Sequence, residues 1–316
     1  MGEMTMREAY ARALVDYGAL NPRVVALDAD TASSTLSTLF ARRFPERFYN
    51  IGIAEPAMVD VAVGLALGGL IPFANAFAAL LSLRAIEQIR TCVCYARTNV
   101  KLVASYAGLS DYKDGPTHHS ITDIAILRAL PEMTVIVPAD VAEAAAWVPI
   151  IAEYDGPVYL RISRVAPLPV YSQENKLEIG KGLILREGTD VALIATGSMV
   201  GRSLLAADEL AREGIHARVL EIHTIKPLDT DLIEKAAEET RAIVTVEEHS
   251  IIGGLGSAVA EVLAERRPTR MGRVGIPDKF ARTAPDTDSL MDAYGLSVTE
   301  ITCSARRVIE HNQPST

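Results

Sequence analysis

Cysteine and aromatic residues are scarce in this chain of 316 residues. The three cysteines, Cys92, Cys94 and Cys303, have neither the number nor the spacing of a disulfide framework or a metal site. We therefore expect reduced thiols in a cytoplasmic protein. Aromatic residues make up only 5% of the chain and apolar residues 49%, so Ala, Val, Leu and Ile must fill the core. Small aliphatic side chains are typical of helices packed on buried parallel strands.

Positively charged residues are also fewer than negatively charged ones. The chain has 31 Lys and Arg residues and 40 Asp and Glu residues, which gives a net charge of −9. An acidic surface disfavours nucleic acid and anionic membranes as partners. The N-terminus lacks the basic and then apolar layout of a signal peptide. The 23 residues between Asp60 and Arg84 carry no charge, but glycine and proline interrupt them. We therefore expect short helices and a strand there rather than a membrane span.

Strand-like and helix-like segments alternate along the chain, which predicts an α/β fold of two consecutive three-layer domains with mostly parallel sheets. Polar residues around Pro167 and Pro169 mark the boundary. We place one domain at 1–168, a linker at 169–188 and a second domain at 189–316. The predicted strands are 24–28, 71–76, 100–106, 134–137, 158–162, 191–195, 217–221, 243–247 and 271–275. The predicted helices are 7–17, 56–67, 83–96, 141–153, 200–213, 229–240 and 254–266, with another beginning at 122.

Two motifs in the first half carry polar residues suited to chemistry. Glu55, in the run GIAEPAM, directly precedes an apolar helix and so lies at a helix N-terminus beside a buried layer. Asp114, His118 and His119 lie on a Gly-Pro loop after a strand, where α/β folds bind ligands. Adjacent histidines point in different directions, which favours acid–base or hydrogen-bonding roles over a metal site. Taken alone, each motif also fits an ordinary helix end or a solvated turn.

Two further motifs involve cations and glycines. Arg161 and Arg164 close a predicted strand and could hold an anionic substrate, or be plain surface charge. The run Gly253-Gly-Leu-Gly256 opens a predicted helix and resembles an anion-binding loop. It lacks the spacing of dinucleotide-binding and P-loop motifs, so close packing of the helix on its strand is the favoured interpretation. A nucleotide-binding module that uses this loop is the least favoured alternative.

The order and spacing of these motifs resemble the transketolase family of thiamine-diphosphate enzymes. The resemblance covers nearly the whole chain. The chain is similar to the C-terminal subunit of a two-subunit transketolase, which consists of a pyrimidine-binding domain followed by a C-terminal domain. It implies transfer of a two-carbon ketol unit from a ketose, a sugar phosphate or related anionic sugar, to an aldose. The runs that carry it are GIAEPAMVDVAVGLALGG, PFANAFAALLSLRAIEQIR, DGPTHHSITDIAILRALPEMTVIVPAD, GPVYLRISR, VALIATGSM and IVTVEEHSIIGGLGSAVAE.

The resemblance also implies roles for individual residues. Glu55 matches the glutamate that activates the cofactor through a hydrogen bond to its aminopyrimidine ring. Asp114 and His118 match residues that contact the donor sugar near its reacting carbons, with His118 also catalytic. The other matches are Asp30 and Phe77 beside the cofactor, and Arg7, Ser34 and Arg164 around the phosphate of the donor. Leu80 is expected beside the cofactor and Tyr106 beside the substrate as well, at positions where relatives carry other residues.

Three positions depart from the family pattern. Leu80 replaces a second aromatic residue against the pyrimidine, Tyr106 replaces a histidine that binds the phosphate, and Lys113 replaces an acidic residue. Tyr106 and Lys113 therefore leave the donor open: it could carry a phosphate, lack one, or be a sulfonated or branched sugar.

One family motif does not occur in the sequence. The family holds Mg²⁺, or another divalent cation, through G-D-G, which the 316 residues do not contain. We expect the metal ligands and the diphosphate site on a separate N-terminal subunit, in an α2β2 assembly outside which this chain is inactive. The alternatives are the beta subunit of a 2-oxo acid dehydrogenase first component, a 1-deoxyxylulose-5-phosphate synthase-like enzyme and a non-catalytic structural subunit. The D-G-P-T-H run and the segment after it favour transketolase over the dehydrogenase.

Overall fold

Two mostly parallel sheets organise the protein, as a computed structural model of residues 4–171 and 176–310 shows. The two sheets and their flanking helices confirm the predicted α/β fold. Residues 172–175 of the predicted linker and the last residues of the second predicted domain, 311–316, lie outside the described residues.

The strands and helices follow the predicted alternation. The strands are β1 Val24–Asp28, β2 Phe48–Asn50, β3 Ile71–Phe77, β4 Lys101–Ser105, β5 Thr134–Ile136, β6 Val158–Arg161, β7 Leu183–Arg186, β8 Val191–Ala195, β9 Ala217–Glu221, β10 Thr224–Lys226, β11 Ile243–Ser250 and β12 Met271–Ile276. The helices are α1 Met6–Leu20, α2 Ala32–Thr35, α3 Thr38–Arg43, α4 Glu55–Leu67, α5 Ala78–Arg84, α6 Ile86–Gln88, α7 Asp123–Ala129, α8 Val141–Glu153, α9 Met199–Arg212, α10 Thr230–Glu239, α11 Leu255–Glu265, α12 Thr287–Ala293 and α13 Val298–Glu310. A 3₁₀ turn spans Pro45–Arg47 and a π-helical segment spans Ile89–Tyr95.

The first sheet has seven strands in the order β10-β5-β6-β4-β3-β1-β2. All neighbouring strands are parallel except β10, which comes from the second half of the chain and pairs antiparallel with β5. Every residue of β1 and β4 is buried, because helices cover both faces. The second half of the chain thus completes the sheet of the first half.

The second sheet has five strands in the order β12-β11-β8-β9-β7. Its edge strand β7 pairs antiparallel with β9 and falls inside the predicted linker, 169–188. The second unit therefore begins earlier than the predicted position 189. The sequence pattern missed β7 because its residues are half-buried or exposed and lack the continuous apolar run of the central strands.

The region around α4 and α5 differs from prediction in a way that matters for the site. Helix α4 begins at Glu55, and Pro56 occupies its first turn, where a missing N–H costs little. Helix α5 begins at Ala78, before the predicted start at 83, and ends at Arg84.

No helix within 4–171 or 176–310 is long and apolar enough to cross a membrane.

Candidate active site

Predicted site residues follow five adjacent strands of the first sheet, at their carboxyl ends. Arg164 follows β6, Tyr106 follows β4, Phe77 ends β3, Asp30 follows β1 and Glu55 follows β2. These strands are neighbours and all run parallel, so their carboxyl ends meet along one edge. This edge is where α/β folds bind ligands.

Tyr106 lies at the centre of a cluster of predicted residues. Arg7 donates from Nη1 to the Tyr106 hydroxyl at 2.7 Å and to the backbone carbonyl of Ser34 at 2.6 Å. The Tyr106 ring lies against Phe77 with centroids 4.3 Å apart, and the His118 ring meets Phe77 edge-on at 5.8 Å. The structure therefore brings five of the predicted residues into one contiguous group.

A buried ion pair borders the cluster. Arg164 donates from Nη1 to Oδ1 of Asp111 at 2.6 Å, and its guanidinium lies 4.9 Å from the Tyr106 ring centroid. Burial, and then the charge of nearby Asp114, raise the pKa of Asp111, while Arg164 lowers it. Asp114 itself is exposed on the same loop. Predicted Asp114 and Arg164 are thus linked through Asp111, a residue that the sequence analysis did not single out.

Glu55 forms a second centre along the same edge. Its carboxylate is 2% exposed and accepts from Arg84 Nη1 at 3.1 and 3.3 Å. Arg84 lies one helical turn after Leu80 on α5, so both side chains are on one face, and Phe77 immediately precedes this helix. An aromatic side chain, Phe77, therefore precedes α5, and an aliphatic side chain, Leu80, lies on it. The buried carboxylate of Glu55 contacts the same helix through Arg84.

Asp30 occupies the loop after β1 without contacting the Tyr106 cluster directly. It is exposed, and its carboxylate accepts from the Asn50 amide at 3.2 Å. The loop is shaped by buried Asp28, which accepts from the Thr31 N–H at 2.6 Å and from the Thr35 hydroxyl at 2.8 Å. Asp28 therefore sets the course of the chain toward Ser34.

The two histidines of the site loop diverge as predicted. His118 is half-buried and faces Phe77, whereas His119 is buried and donates from Nε2 to the Asp111 carbonyl at 3.1 Å. Burial lowers the pKa of His119. His119 therefore supports the loop, and His118 is the ring that faces the cluster. Lys113 is exposed on this loop, with Nζ 5.6 Å from the Tyr112 ring centroid.

The suggestion that Arg161 helps to hold a substrate is wrong. Arg161 is 5% exposed and donates from Nε to Asp123 at 2.8 Å and from Nη2 to the carbonyls of Ser120 and Glu248, each at 3.0 Å. Strand β6 ends at Arg161, and Arg164 lies in a bend three residues later, where it pairs with Asp111 rather than with Asp123. Arg161 instead connects the end of the site loop to the second sheet.

The glycine run at 253–256 is filled from within the protein. Glu247 accepts from the N–H groups of Leu255 at 2.7 Å and Gly256 at 2.8 Å, so a protein carboxylate occupies the N-terminus of α11. A Cβ atom at Gly254 would lie only 2.0 Å from Oε2 of Glu247. These contacts confirm close packing as the role of the glycines and oppose the nucleotide alternative.

Comparison with known proteins identifies the family. Residues 2–167 match the transketolase pyrimidine-binding domain, and residues 180–301 match the transketolase C-terminal domain. The chain belongs to the transketolase family. It is 42% identical to the 6-deoxy-6-sulfo-D-fructose transketolase subunit of Clostridium sp. strain MSTE9, over 98% of this chain and 95% of that protein. It is also 44% identical to a putative transketolase C-terminal section of Methanocaldococcus jannaschii, over 96% of this chain and 95% of that protein.

A solved structure supports the same conclusion. The chain superimposes with a TM-score of 0.91 on a split gene transketolase described as an inactive beta4 tetramer, 44% identical over 98% of this chain and all of that one. The predicted split-transketolase subunit is thereby confirmed, as is its class as a two-carbon transferase that works with a partner subunit. The family implies thiamine diphosphate as the cofactor.

The residues along α4 and α5 fit the pyrimidine end of that cofactor. Phe77 and Leu80 offer ring and aliphatic surfaces, and Glu55 offers a desolvated carboxylate whose present partner, Arg84, is half-exposed. Two buried polar atoms of the Tyr106 cluster, Arg7 Nε and Asp111 Oδ2, lack a hydrogen-bond partner within the described chain, which is common where a ligand binds. No group of three or more His, Cys, Asp or Glu side chains in the described ranges could hold a metal ion.

Proposed function

We propose that this chain supplies the cofactor-activating carboxylate and the donor-sugar pocket of a two-chain transketolase. The observation that carries the proposal is the single sheet edge that brings Glu55, Phe77, Tyr106 and Arg164 together. The site extends along this edge from the buried carboxylate of Glu55, after β2, to the cationic cluster after β4 and β6.

Glu55, Phe77 and Leu80 would hold the aminopyrimidine of thiamine diphosphate, and Asp30 would lie near the cofactor. When bound, the cofactor supplies a nucleophilic carbon and an electron sink for cleavage of the ketose. Glu55 would share a proton with the pyrimidine ring in a hydrogen bond, and its burial, at 2% exposure, keeps water from competing for the carboxylate. Arg84 must release the carboxylate before Glu55 can take this role.

His118 and Asp114 would bind the hydroxyls of the donor near the reacting carbons. The far end of the donor would be held by Arg7, Ser34, Tyr106 and Arg164. Two guanidinium groups contact the phenol side chain of Tyr106 there. An anionic sugar suits this cationic end, and the relative from Clostridium is named for a sulfonated ketose. A ketose with an anionic tail is therefore the donor class that we propose, and an aldose is the acceptor.

A partner chain would complete the site. It would supply the diphosphate-binding domain and the ligands for Mg²⁺, in an α2β2 heterotetramer. Exposed apolar side chains on α4 and the segments beside it suit such an interface: Ile53, just before α4, is 75% exposed, Leu67, at its end, 76%, and Tyr95, in the π-helical segment that packs on α4, 88%. The related split transketolase structure, an inactive tetramer of beta chains, supports the expectation that this chain alone is inactive.

The test is ketol transfer by this chain co-purified with its diphosphate-binding partner. We expect Glu55→Gln to lower kcat by about 10²-fold or more, within the range for a lost proton-holding group, with little change in KM. The matched control is Glu87→Gln, which removes an exposed carboxylate of α6. Turnover by Glu55→Gln equal to wild type would refute the role of Glu55.

Two further arms separate the alternatives. Pyruvate with an aldehyde phosphate tests the 1-deoxyxylulose-5-phosphate synthase-like reaction, and pyruvate with a lipoyl acceptor tests the 2-oxo acid dehydrogenase. Ketol transfer without turnover of pyruvate supports the proposal. A complex that is inactive with every donor although it binds thiamine diphosphate and Mg²⁺ supports the non-catalytic subunit instead.

A further inference from the structure

The charge of the pocket around Tyr106 differs from that of a simple pair of arginines. Arg7 and Arg164 both lie against the Tyr106 ring, with guanidinium carbons 5.4 and 4.9 Å from its centroid. Tyr106 is only 4% exposed and has a φ of +62°, a strained value for this residue type that the surrounding contacts must hold in place. The ring is therefore a fixed contact that the two cations share.

Both arginines are already engaged within the protein. Arg7 donates to the Tyr106 hydroxyl and the Ser34 carbonyl, and within residues 4–171 and 176–310 no carboxylate pairs with its charge. Arg164 donates to the carboxylate of Asp111, whose side chain is completely buried, at 2.6 Å. A carboxylate inside the protein thus cancels one of the two positive charges.

The rest of the loop does not alter this balance. Lys113 and Asp114 are both exposed, carry opposite charges and are adjacent in the chain. The two guanidinium groups and the one buried carboxylate at the far end of the donor, those of Arg7, Arg164 and Asp111, therefore sum to a single positive charge. A phosphate monoester carries about 1.5 to 2 negative charges at neutral pH, and a sulfonate carries one.

We propose that Asp111 selects the donor by the charge of its tail, so that the pocket favours a singly charged sulfonate over a phosphate dianion. A phosphate would leave excess negative charge beside a buried carboxylate, at a distance where like charges repel strongly. A sulfonate balances the remaining charge. This inference rests on the proposed function, because it concerns the far end of the same donor pocket.

The experiment compares 6-deoxy-6-sulfo-D-fructose, fructose 6-phosphate and fructose with the two-chain enzyme. These donors differ only at the tail. We expect wild-type kcat/KM to be highest for the sulfonate, by about tenfold or more over the phosphate and over fructose. In Asp111→Asn the preference for sulfonate over phosphate falls by about tenfold, mainly through KM. Glu265→Gln, an exposed carboxylate at the end of α11, leaves the preference unchanged.

A second measurement does not depend on turnover or on the variant. We expect methanesulfonate to raise the unfolding temperature of the wild-type chain more than methyl phosphate does at equal ionic strength. Equal or reversed effects of the two anions, or a wild-type preference for fructose 6-phosphate, would overturn the proposal. An unchanged preference in a folded Asp111→Asn variant would overturn it as well. Loss of all ketol transfer with the anion selectivity retained would instead count against the proposed function alone.

Discussion

Arg84 donates from one nitrogen to both carboxylate oxygens of Glu55, at 3.1 and 3.3 Å, across two helices that pack side by side. Glu55 is buried, whereas half of the Arg84 side chain is exposed. The pair therefore joins a buried carboxylate to a cation that is open to solvent on one side. A partner subunit or a cofactor could replace Arg84 without moving Glu55.

Arg84→Met should destabilise the chain, because it leaves a buried carboxylate without its cation. We expect the free energy of unfolding to fall by about 1–2 kcal/mol, less than for a fully buried pair because Arg84 is half-exposed. In Glu55→Gln the same Arg84 change should cost much less, and urea unfolding of all four proteins measures this coupling. Arg90→Met breaks an exposed pair with Glu87 and should cost under about 0.5 kcal/mol. Additive effects of the two changes would contradict the pairing.

Arg161→Met should be far more damaging than loss of a surface arginine. It would leave buried Asp123 and two backbone carbonyls without their hydrogen-bond donor. We expect this to lower the free energy of unfolding by about 3–5 kcal/mol. Burial, the largest single cause, raises the pKa of Asp123, but the charges of Arg161 and His249 and the hydrogen bonds from Arg161 and Tyr159 together lower it below its ordinary value. Arg186→Met, which breaks a partly exposed pair with Asp208, should cost less than about 1 kcal/mol. Similar losses in both variants would show that Arg161 is not the buried link described above.

Glu221 should make the protein less stable at higher pH. Burial, and then the charge of Glu143, raise the pKa of Glu221 well above its ordinary value of 4.5. The folded chain then holds this proton more tightly than the unfolded chain, so the free energy of unfolding falls as the pH rises from about 4.5 through the raised pKa. Glu221→Gln should therefore gain stability over wild type as the pH increases, in urea titrations at several pH values. Parallel curves for the two proteins would show that Glu221 is ionised in the folded state.

Gly254→Ala and Gly64→Ala should change stability in opposite directions. At Gly254 the new methyl group would lie 2.0 Å from Oε2 of Glu247 and 2.6 Å from Nδ1 of His249, which should cost about 1–3 kcal/mol. At Gly64, inside α4, nothing lies within 4 Å of the new methyl, and alanine should add about 0.5–1 kcal/mol. Thermal unfolding monitored by circular dichroism distinguishes the two signs. A neutral Gly254→Ala would mean that Glu247 does not fill the start of α11.

Much of the fold could be predicted from the sequence because the central strands are unbroken apolar runs. β1 and β8 were predicted with the bounds that the structure shows, and so was helix α8. The short strand β10 was missed, since three residues carry too little pattern and their partner, β5, lies about 90 residues away along the chain.

The site was predicted less completely, for a similar reason. Glu55 and His118 belong to motifs that are local in sequence. The contacts of Asp111 and Arg84 arise only when distant segments of the chain meet. Asp111 and Arg164 are 53 residues apart in the sequence, and Arg84 and Glu55 are 29 residues apart.

The pairing of β10 with β5 limits how this chain can be divided. A fragment that stops before β7 would keep the whole candidate site but lose the strand that covers one side of β5. The backbone groups of β5 would then form an open edge, which readily recruits strands from other molecules. Isolated pyrimidine-binding halves of this protein are therefore expected to self-associate, and the two halves are better regarded as one inseparable folding unit.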